Sequence, residues 1–232
     1  MSQRRNIAAF IRHGDYHQRE QTPSAMQPFA LSSLGEHQAK DASVILASFG
    51  MVHGLHISPT VHCSCLLRAW QTANIVAKKL SSTDHTLALQ ESPALSERSV
   101  GSLANLSAIA IEDILKNDPR YPAPPQNWKS DSHYALPYPG AESLMQAGQR
   151  VANYIQQVMT SLPQEAGILQ IFVGHGAAFR HAACHKGMLA FKDIARLSMF
   201  HAKPIYFTAK GDVWQQQAGD WKIRSPSSTY TD

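Results

Sequence analysis

Two short, nearly unbroken apolar runs stand out along the chain, Ile7-Ala8-Ala9-Phe10-Ile11 and Leu169-Gln170-Ile171-Phe172-Val173. Runs of this length without alternation read as strands buried on both faces, as in a parallel sheet covered by helices. Segments with helical spacing fall between and after them. Ser32 or Ser33 can cap a helix from Leu34 to about Phe49, with Leu34, Gln38, Val44, Ile45 and Phe49 roughly in register. Gly50 and Gly54 then bracket an irregular link. A short strand at Thr60 to Cys63 precedes an amphipathic helix from Leu66 to Leu80, which carries Leu67, Ala69, Trp70, Ala73, Ile75, Val76 and Leu80 on its apolar side. A β segment near Thr86 to Gln90 leads into Leu95-Ser96-Glu97-Arg98. Further helices are predicted at about Ser107 to Lys116, Glu142 to Leu162 and Ala177 to Met188. Antiparallel-type strands at Ile205 to Ala209, Asp212 to Gln216 and Trp221 to Arg224 close the pattern.

This order describes an α/β protein, read here as one domain over residues 1–232. Residues 15 to 30, broken by Pro23 and Pro28, read as a loop. Residues 99 to 142 have a different texture: Pro119, Pro122, Pro124, Pro125, Pro137 and Pro139 follow one another, with Trp128, Tyr134 and Tyr138 among them. An excursion this long between regular elements commonly covers a site, so it is taken as a lid whose aromatics pack on the body.

The two apolar runs have the same ending. The first empties into Arg12-His13-Gly14 and the second into Gly174-His175-Gly176. Ligands of open α/β sheets sit outside the carboxyl ends of the strands, so adjacent strands of this kind would bring both imidazoles over one pocket. Arg68, in the first turn of its helix, lies near a third strand end. Together with Arg12 and His175 it offers donors for a phosphate dianion, because guanidinium binds phosphate in a bidentate fork. His13 is the candidate nucleophile, since a neutral imidazole is available at physiological pH and its second nitrogen can be fixed by a backbone carbonyl. Gly14 leaves room beside the attacking nitrogen. Glu97 is the candidate general acid, with Asp15 as a rival, and Arg180 can support the pocket from behind. His181, Cys184 and His185 have i, i+4 spacing but no acidic neighbour, so no metal site is assigned there. His53 and His56 read as solvated.

Composition narrows the picture further. The net charge of +4 is mild and the basic residues are scattered singly, which argues against a nucleic-acid stripe. Cys63, Cys65 and Cys184 form neither a disulfide framework nor a zinc ribbon. The apolar stretch after Met1 to Arg5 is too short for a signal-peptide core, and no run is long enough for a membrane span, so a cytoplasmic protein is expected. The pattern specifies no oligomeric state.

Four motifs resemble the histidine phosphatase superfamily, branch 1, which includes the phosphoglycerate mutases. They are Ile11-Arg12-His13-Gly14, Ser64 to Ala73 around Arg68, Leu95-Ser96-Glu97-Arg98 with Gly101, and Gly174-His175-Gly176. Pro139-Gly140-Ala141-Glu142-Ser143 and Arg150 extend the likeness. The resemblance implies a three-layer α/β/α sandwich with a mostly parallel central sheet, phosphoglycerate mutase-like. It also implies a metal-independent, cofactor-free mechanism through a phosphohistidine on His13. Where the mutases continue the first motif with Ser and then Asn, this chain has Asp15-Tyr16-His17-Gln18, and it has Ala177-Ala178 after the second histidine motif. The lid also lacks the paired arginines that mutases use for a carboxylate. These departures favour hydrolysis by water over phosphoglycerate mutase-type transfer. Tyr16-His17 and the segment Ile171 to Arg180 are similar to the mitochondrial protein serine/threonine phosphatase branch. The substrate is thus expected to be a small phosphorylated molecule or a phosphoprotein. A non-catalytic phosphate-binding module is the remaining alternative.

Overall fold

The computed structural model describes residues 5–19, 21–23, 26–163, 166–211 and 213–224. Strand β1 (Ile7–Arg12) is buried along its whole length, as an apolar run with helices on both faces must be. Then come helix α1 (Ser33–His53), β2 (His56–Cys63), α2 (Leu67–Leu80), β3 (Ala88–Glu91), α3 (Ala108–Asn117), α4 (Leu144–Ser161), β4 (Ile168–Gly174), α5 (Gly176–His185) and the short α6 (Phe191–Ile194). Strands β5 (Leu197–Ser198), β6 (Ile205–Lys210), β7 (Val213–Ala218) and β8 (Lys222–Ile223) complete the described elements. Six of these strands form a sheet in the order β3-β2-β4-β1-β6-β7. The pairings among β3, β2, β4 and β1 are parallel, and β6 and β7 join antiparallel.

Alternation along β1 and β4 divides the interior in two. Ile7, Ala9, Ile11, Leu169, Ile171 and Val173 face a layer built by α1 and α2. Ala8, Phe10 and Phe172 face α4 and α5, where Phe10 stacks on Phe179 with ring centroids 5.0 Å apart and meets Phe207 at 4.7 Å. This is the α/β/α sandwich with a mixed, mostly parallel sheet. Helices α4 and α5 touch at Gly148, where an added Cβ would lie 2.4 Å from the Cβ of His181. A side chain there would force the layer apart.

Several elements differ from their sequence-based expectation. Helix α1 runs through Gly50, which is buried within it, and ends at Gly54 in the left-handed conformation (φ 61°) with Ser32 as its N-cap. Its buried stripe is Gly35, Ala39, Ala42, Leu46 and Gly50, while Leu34, Val44 and Ile45 are exposed. Small residues at i, i+4, i+7 and i+15 let the helix sit close to the sheet, a spacing that outweighs the larger apolar side chains. Strand β2 begins at His56, earlier than Thr60, with an irregularity in its pairing to β4 between Ile57 and Val61. Strand β7 starts at Val213 among the described residues, Asp212 lying outside them. Strand β8 pairs with β5 in a separate two-stranded ribbon instead of extending the sheet. In residues 99–142 the aromatics expected to pack on the body gather instead in a cluster of their own, with Arg98 over the Trp128 ring at 5.8 Å. Trp128 is buried with Val100, Leu103, Ile111, Leu115 and Leu136 in a third cluster, and its indole donates to Glu112 Oε1 at 2.9 Å. Tyr134 and Tyr138 pack against that same cluster. Among the described residues, no helix is long and apolar enough to cross a membrane.

Candidate active site

Parallel pairing puts the carboxyl ends of β2, β4 and β1 side by side, with Arg12 opposite Gly174 and Cys63 opposite Val173. The ladder continues one residue further, as His13 N donates to Gly174 O at 3.0 Å and Ser64 N to Val173 O at 3.0 Å. His13, Ser64 and His175 therefore leave the sheet at the same level. The rings of His13 and His175 are 5.1 Å apart, centroid to centroid.

Their hydrogen bonds fix the tautomers. His13 Nδ1 lies 2.7 Å from Gly14 O, a group that can only accept, so Nδ1 carries the proton and Nε2 presents its lone pair. Arg68 Nε donates to that lone pair at 3.1 Å, and Arg68 Nη2 reaches His175 Nδ1 at 3.3 Å. His175 Nε2–H is then left to donate to Ser64 Oγ at 2.9 Å. Arg68 has no solvent exposure, donates from Nη1 to Gln27 O at 3.0 Å, and has its guanidinium carbon 4.7 Å from the Tyr16 ring centre. Tyr16 also stands edge-on to His13 at 5.2 Å. Arg12 is buried at the end of β1 and donates from Nη1 to Met199 O at 3.0 Å.

Glu97 follows a 3-10 turn at Pro93–Leu95 that succeeds β3. Its carboxylate accepts from Arg98 N at 2.9 Å, Ala178 N at 3.1 Å and Ala177 N at 3.3 Å, so it is held by the first turn of α5, directly beyond His175. Glu97 also lies close enough to favour the charged forms of Arg68 and Arg98, whose burial works in the opposite direction.

Other expected residues serve the frame. Asp15 accepts from Ser32 Oγ at 2.5 Å, which ties it to the N-terminus of α1. Gly14 has a steric role at α1 beside the one expected at the attacking nitrogen. A Cβ there would stand 2.5 Å from Gly35 O, so the missing side chain lets β1 and α1 approach each other. Arg180 donates to Leu197 O and anchors β5 to α5. His181 and His185 are spent on the Ala177 and Met145 carbonyls, at 2.8 and 2.9 Å.

Sequence reasoning missed roles for Ser64, Tyr16 and His201. The signal for Ser64 was the strand-end rule that found His13. His201 donates from Nδ1 to His13 O at 2.8 Å, with the two rings 5.5 Å apart, and Ala202 N donates to Arg12 O at 2.8 Å. Residues 199–202 thus clamp the end of β1 from the side of β6. Because β6 runs antiparallel to β1, the chain entering it lies beside the carboxyl end of β1.

The electrostatics follow from burial among cations. His13 is held well below the ordinary histidine value by desolvation first, then by Arg68, His175 and Arg12. His175 is lowered in the same way by burial, Arg68 and Arg12. Burial also lowers His62, and pushes both His181 and His201 down to about 4. Both imidazoles of the cup are therefore neutral at physiological pH. For each of these groups the unfolded chain binds more protons between the ordinary value and the lowered one. Stability is thus complete above about pH 6.5 and is lost as pH falls toward 4. Thermal melts in phosphate-free buffer should show a clear drop in melting temperature from about pH 7 to pH 5. A flat profile across that interval would contradict the assignment of these rings as buried and neutral.

A cup formed by two neutral imidazoles and two arginines, with a carboxylate at its rim, can bind a tetrahedral dianion, attack it and exchange a proton with it. Comparison with known proteins agrees in kind. The family model described as histidine phosphatase superfamily (branch 1) matches residues 8–219. A 2,3-bisphosphoglycerate-dependent phosphoglycerate mutase of Parvibaculum lavamentivorans is 25% identical over 223 residues, which cover 91% of this chain and 95% of that protein. Among solved structures, a mycobacterial glucosyl-3-phosphoglycerate phosphatase in complex with VO3 has a TM-score of 0.68 at 20% identity, covering 91% of this chain and 96% of its own. The alpha-ribazole phosphatase of Shigella flexneri has a TM-score of 0.68 at 17% identity, over 97% of this chain and all of its own. At such identities the structural likeness speaks to the fold.

Proposed function

This chain belongs to branch 1 of the histidine phosphatase superfamily, and from that membership we propose that it is a cytoplasmic hydrolase of phosphomonoesters acting through a phosphohistidine on His13. His13 Nε2 attacks phosphorus in line with the ester oxygen, and the bond to that oxygen breaks as Glu97 donates its proton to it. The alcohol leaves. Water then attacks the phosphohistidine, its proton returns to the Glu97 carboxylate, and inorganic phosphate departs with His13 restored. Arg12 and Arg68 neutralise the oxygens throughout, and His175, neutral in the free protein, becomes a further donor when its Nδ1 takes up a proton with the entering dianion, so the scheme calls for neither metal nor organic cofactor.

One observation carries this reading: Arg68 donates at once to the attacking nitrogen of His13 and to the ring of His175. Those N–H groups reach the facing nitrogens of both rings, so phosphate oxygens that enter between the rings can take them over and free the His13 lone pair for attack. Water is favoured as the acceptor by the residues that replace the mutase pattern. Asp15 is committed to Ser32, Tyr16 packs on His13 and Arg68, and Ala177 and Ala178 offer no polar side chain where the mutases have Asn. We assign the segment 99–142 as the lid that selects the alcohol, from a small phosphorylated molecule or a phosphoprotein.

The test is a panel of sugar phosphates, phosphoglycerates and phosphopeptides, assayed for inorganic phosphate with and without EDTA. Release of phosphate without a bisphosphate primer and unchanged by EDTA is expected. Turnover of 3-phosphoglycerate that depends on a bisphosphate primer would overturn hydrolysis in favour of mutase chemistry. Vanadate binding without hydrolysis of any ester would indicate a non-catalytic module.

A further inference from the structure

The proposed acid, Glu97, sits on a stretch of chain that belongs to no strand. Between the 3-10 turn at Pro93–Leu95 and the bridge of Val100 to Ala141, residues 96–99 have no sheet neighbour to set their path. A side chain from another layer does this. Arg150, in the second turn of α4, donates from Nη1 to Ala94 O at 2.8 Å, Ser96 O at 3.1 Å and Pro93 O at 3.2 Å. The Ser96 carbonyl belongs to the peptide that enters Glu97. The other face of the same guanidinium pairs with Glu142, through Nη2 to Oε1 and through Nε to Oε2 at 3.3 Å. Glu142 in turn accepts from Ser99 N at 3.1 Å, while its own N–H donates to Ser99 O at 3.0 Å. Arg150 therefore grips the chain just before Glu97 directly and just after it through Glu142.

We propose that Arg150 is the positioning residue for Glu97, so that proton delivery to the leaving oxygen depends on a cation that touches neither substrate nor phosphate. The proposal rests on the reading of Glu97 as general acid. Only a planar fork meets these contacts in full, because one nitrogen must face three carbonyls while the opposite edge meets a carboxylate. Lysine, a point charge, reproduces that geometry only in part. When Arg150 is removed, three carbonyls lose their donor and Glu142 loses its counter-charge. The carboxyl of Glu97 is then free to shift by the fraction of an ångström that matters for proton transfer.

Leaving-group dependence separates this role from a merely structural one. An alkoxide needs its proton to depart, whereas p-nitrophenolate leaves without one. For Arg150→Gln, kcat/KM on glycerol 2-phosphate should fall about 100-fold while p-nitrophenyl phosphate loses less than about tenfold, with Arg150→Lys intermediate on the alkyl ester. Glu97→Gln should show the same selectivity, and the double variant should be no worse on the alkyl ester than Glu97→Gln alone. Equal losses on the two esters, or additive losses in the double variant, would overturn the proposal. If Arg150→Gln does not fold, as judged by circular dichroism, Arg150→Lys carries the same comparison. If the wild type turns over neither ester, the comparison is made on the best alkyl and aryl phosphates of the panel, and inactivity on every ester of the panel would sink the hydrolase reading itself, an outcome distinct from failure of the Arg150 role.

Discussion

Hydrolysis of phosphomonoesters by the His13→Ala protein will fall about 10,000-fold or more, with circular dichroism unchanged and no acid-labile phosphoprotein formed. The magnitude follows from the lack of a substitute. His175 is the nearest imidazole, yet its Nδ1 accepts from Arg68 and its Nε2–H is given to Ser64. Both nitrogens of His175 are thus engaged, and in the proposed scheme its place beside the phosphoryl group is that of a donor, not of the nucleophile. His201 is tied by its Nδ1 to the His13 carbonyl on the β6 side of β1, away from the β4 side where His175 stands. Loss of the His13 ring also leaves Arg68 Nε without its acceptor at 3.1 Å, although a bound phosphate oxygen can take that place. The variant should therefore still bind vanadate or phosphate while failing to turn over ester. A residual rate above about a tenth of wild type would mean that the phosphoryl group passes through some other atom, and the assignment of His13 would fall.

How much of this was legible from the chain depends on the range of the forces involved. The strands β1 and β4 and the strand-end placement of His13 and His175 come from apolar runs that end abruptly in polar residues, a signal carried by adjacent positions. Glu97 and Arg68 were identified on the same local ground. The buried face of α1 was not. Leu34, Val44 and Ile45 look like a core stripe but are exposed, because contact with the sheet is made through Gly35, Ala39, Ala42 and Gly50, whose smallness has value only once the sheet is present. Trp128 was misplaced for a related reason: residues 99–142 bury enough apolar surface among themselves to form a cluster of their own. The clamp of residues 199–202 and the grip of Arg150 on the acid-bearing chain join parts separated by 187 and 54 to 57 positions, and no local pattern encodes them.

Arg68→Lys will lower kcat by about 100-fold to 1,000-fold, the cost of removing one preorganised donor from a developing oxyanion. The substitution keeps the charge, so its effect isolates geometry. Arg68 uses three nitrogens in three directions, toward His13, His175 and the Gln27 carbonyl, with the guanidinium plane over Tyr16. A lysine ammonium is a single compact centre and cannot hold both imidazoles and the loop carbonyl together. Burial opposes the charge of Arg68 in the cup, where Tyr16 and Glu97 favour it and Arg12 adds further repulsion. A phosphate dianion relieves that penalty on entering. Wild-type protein should accordingly gain about 2.7 kcal/mol of stability at a phosphate or vanadate concentration one hundred times the Kd. The Arg68→Lys protein at the same concentration should gain much less, as read from thermal melts. Near-wild-type turnover with undiminished ligand protection would show that the oxygens of the substrate do not meet the fork of Arg68, and the cup would have to be redrawn around Arg12 alone.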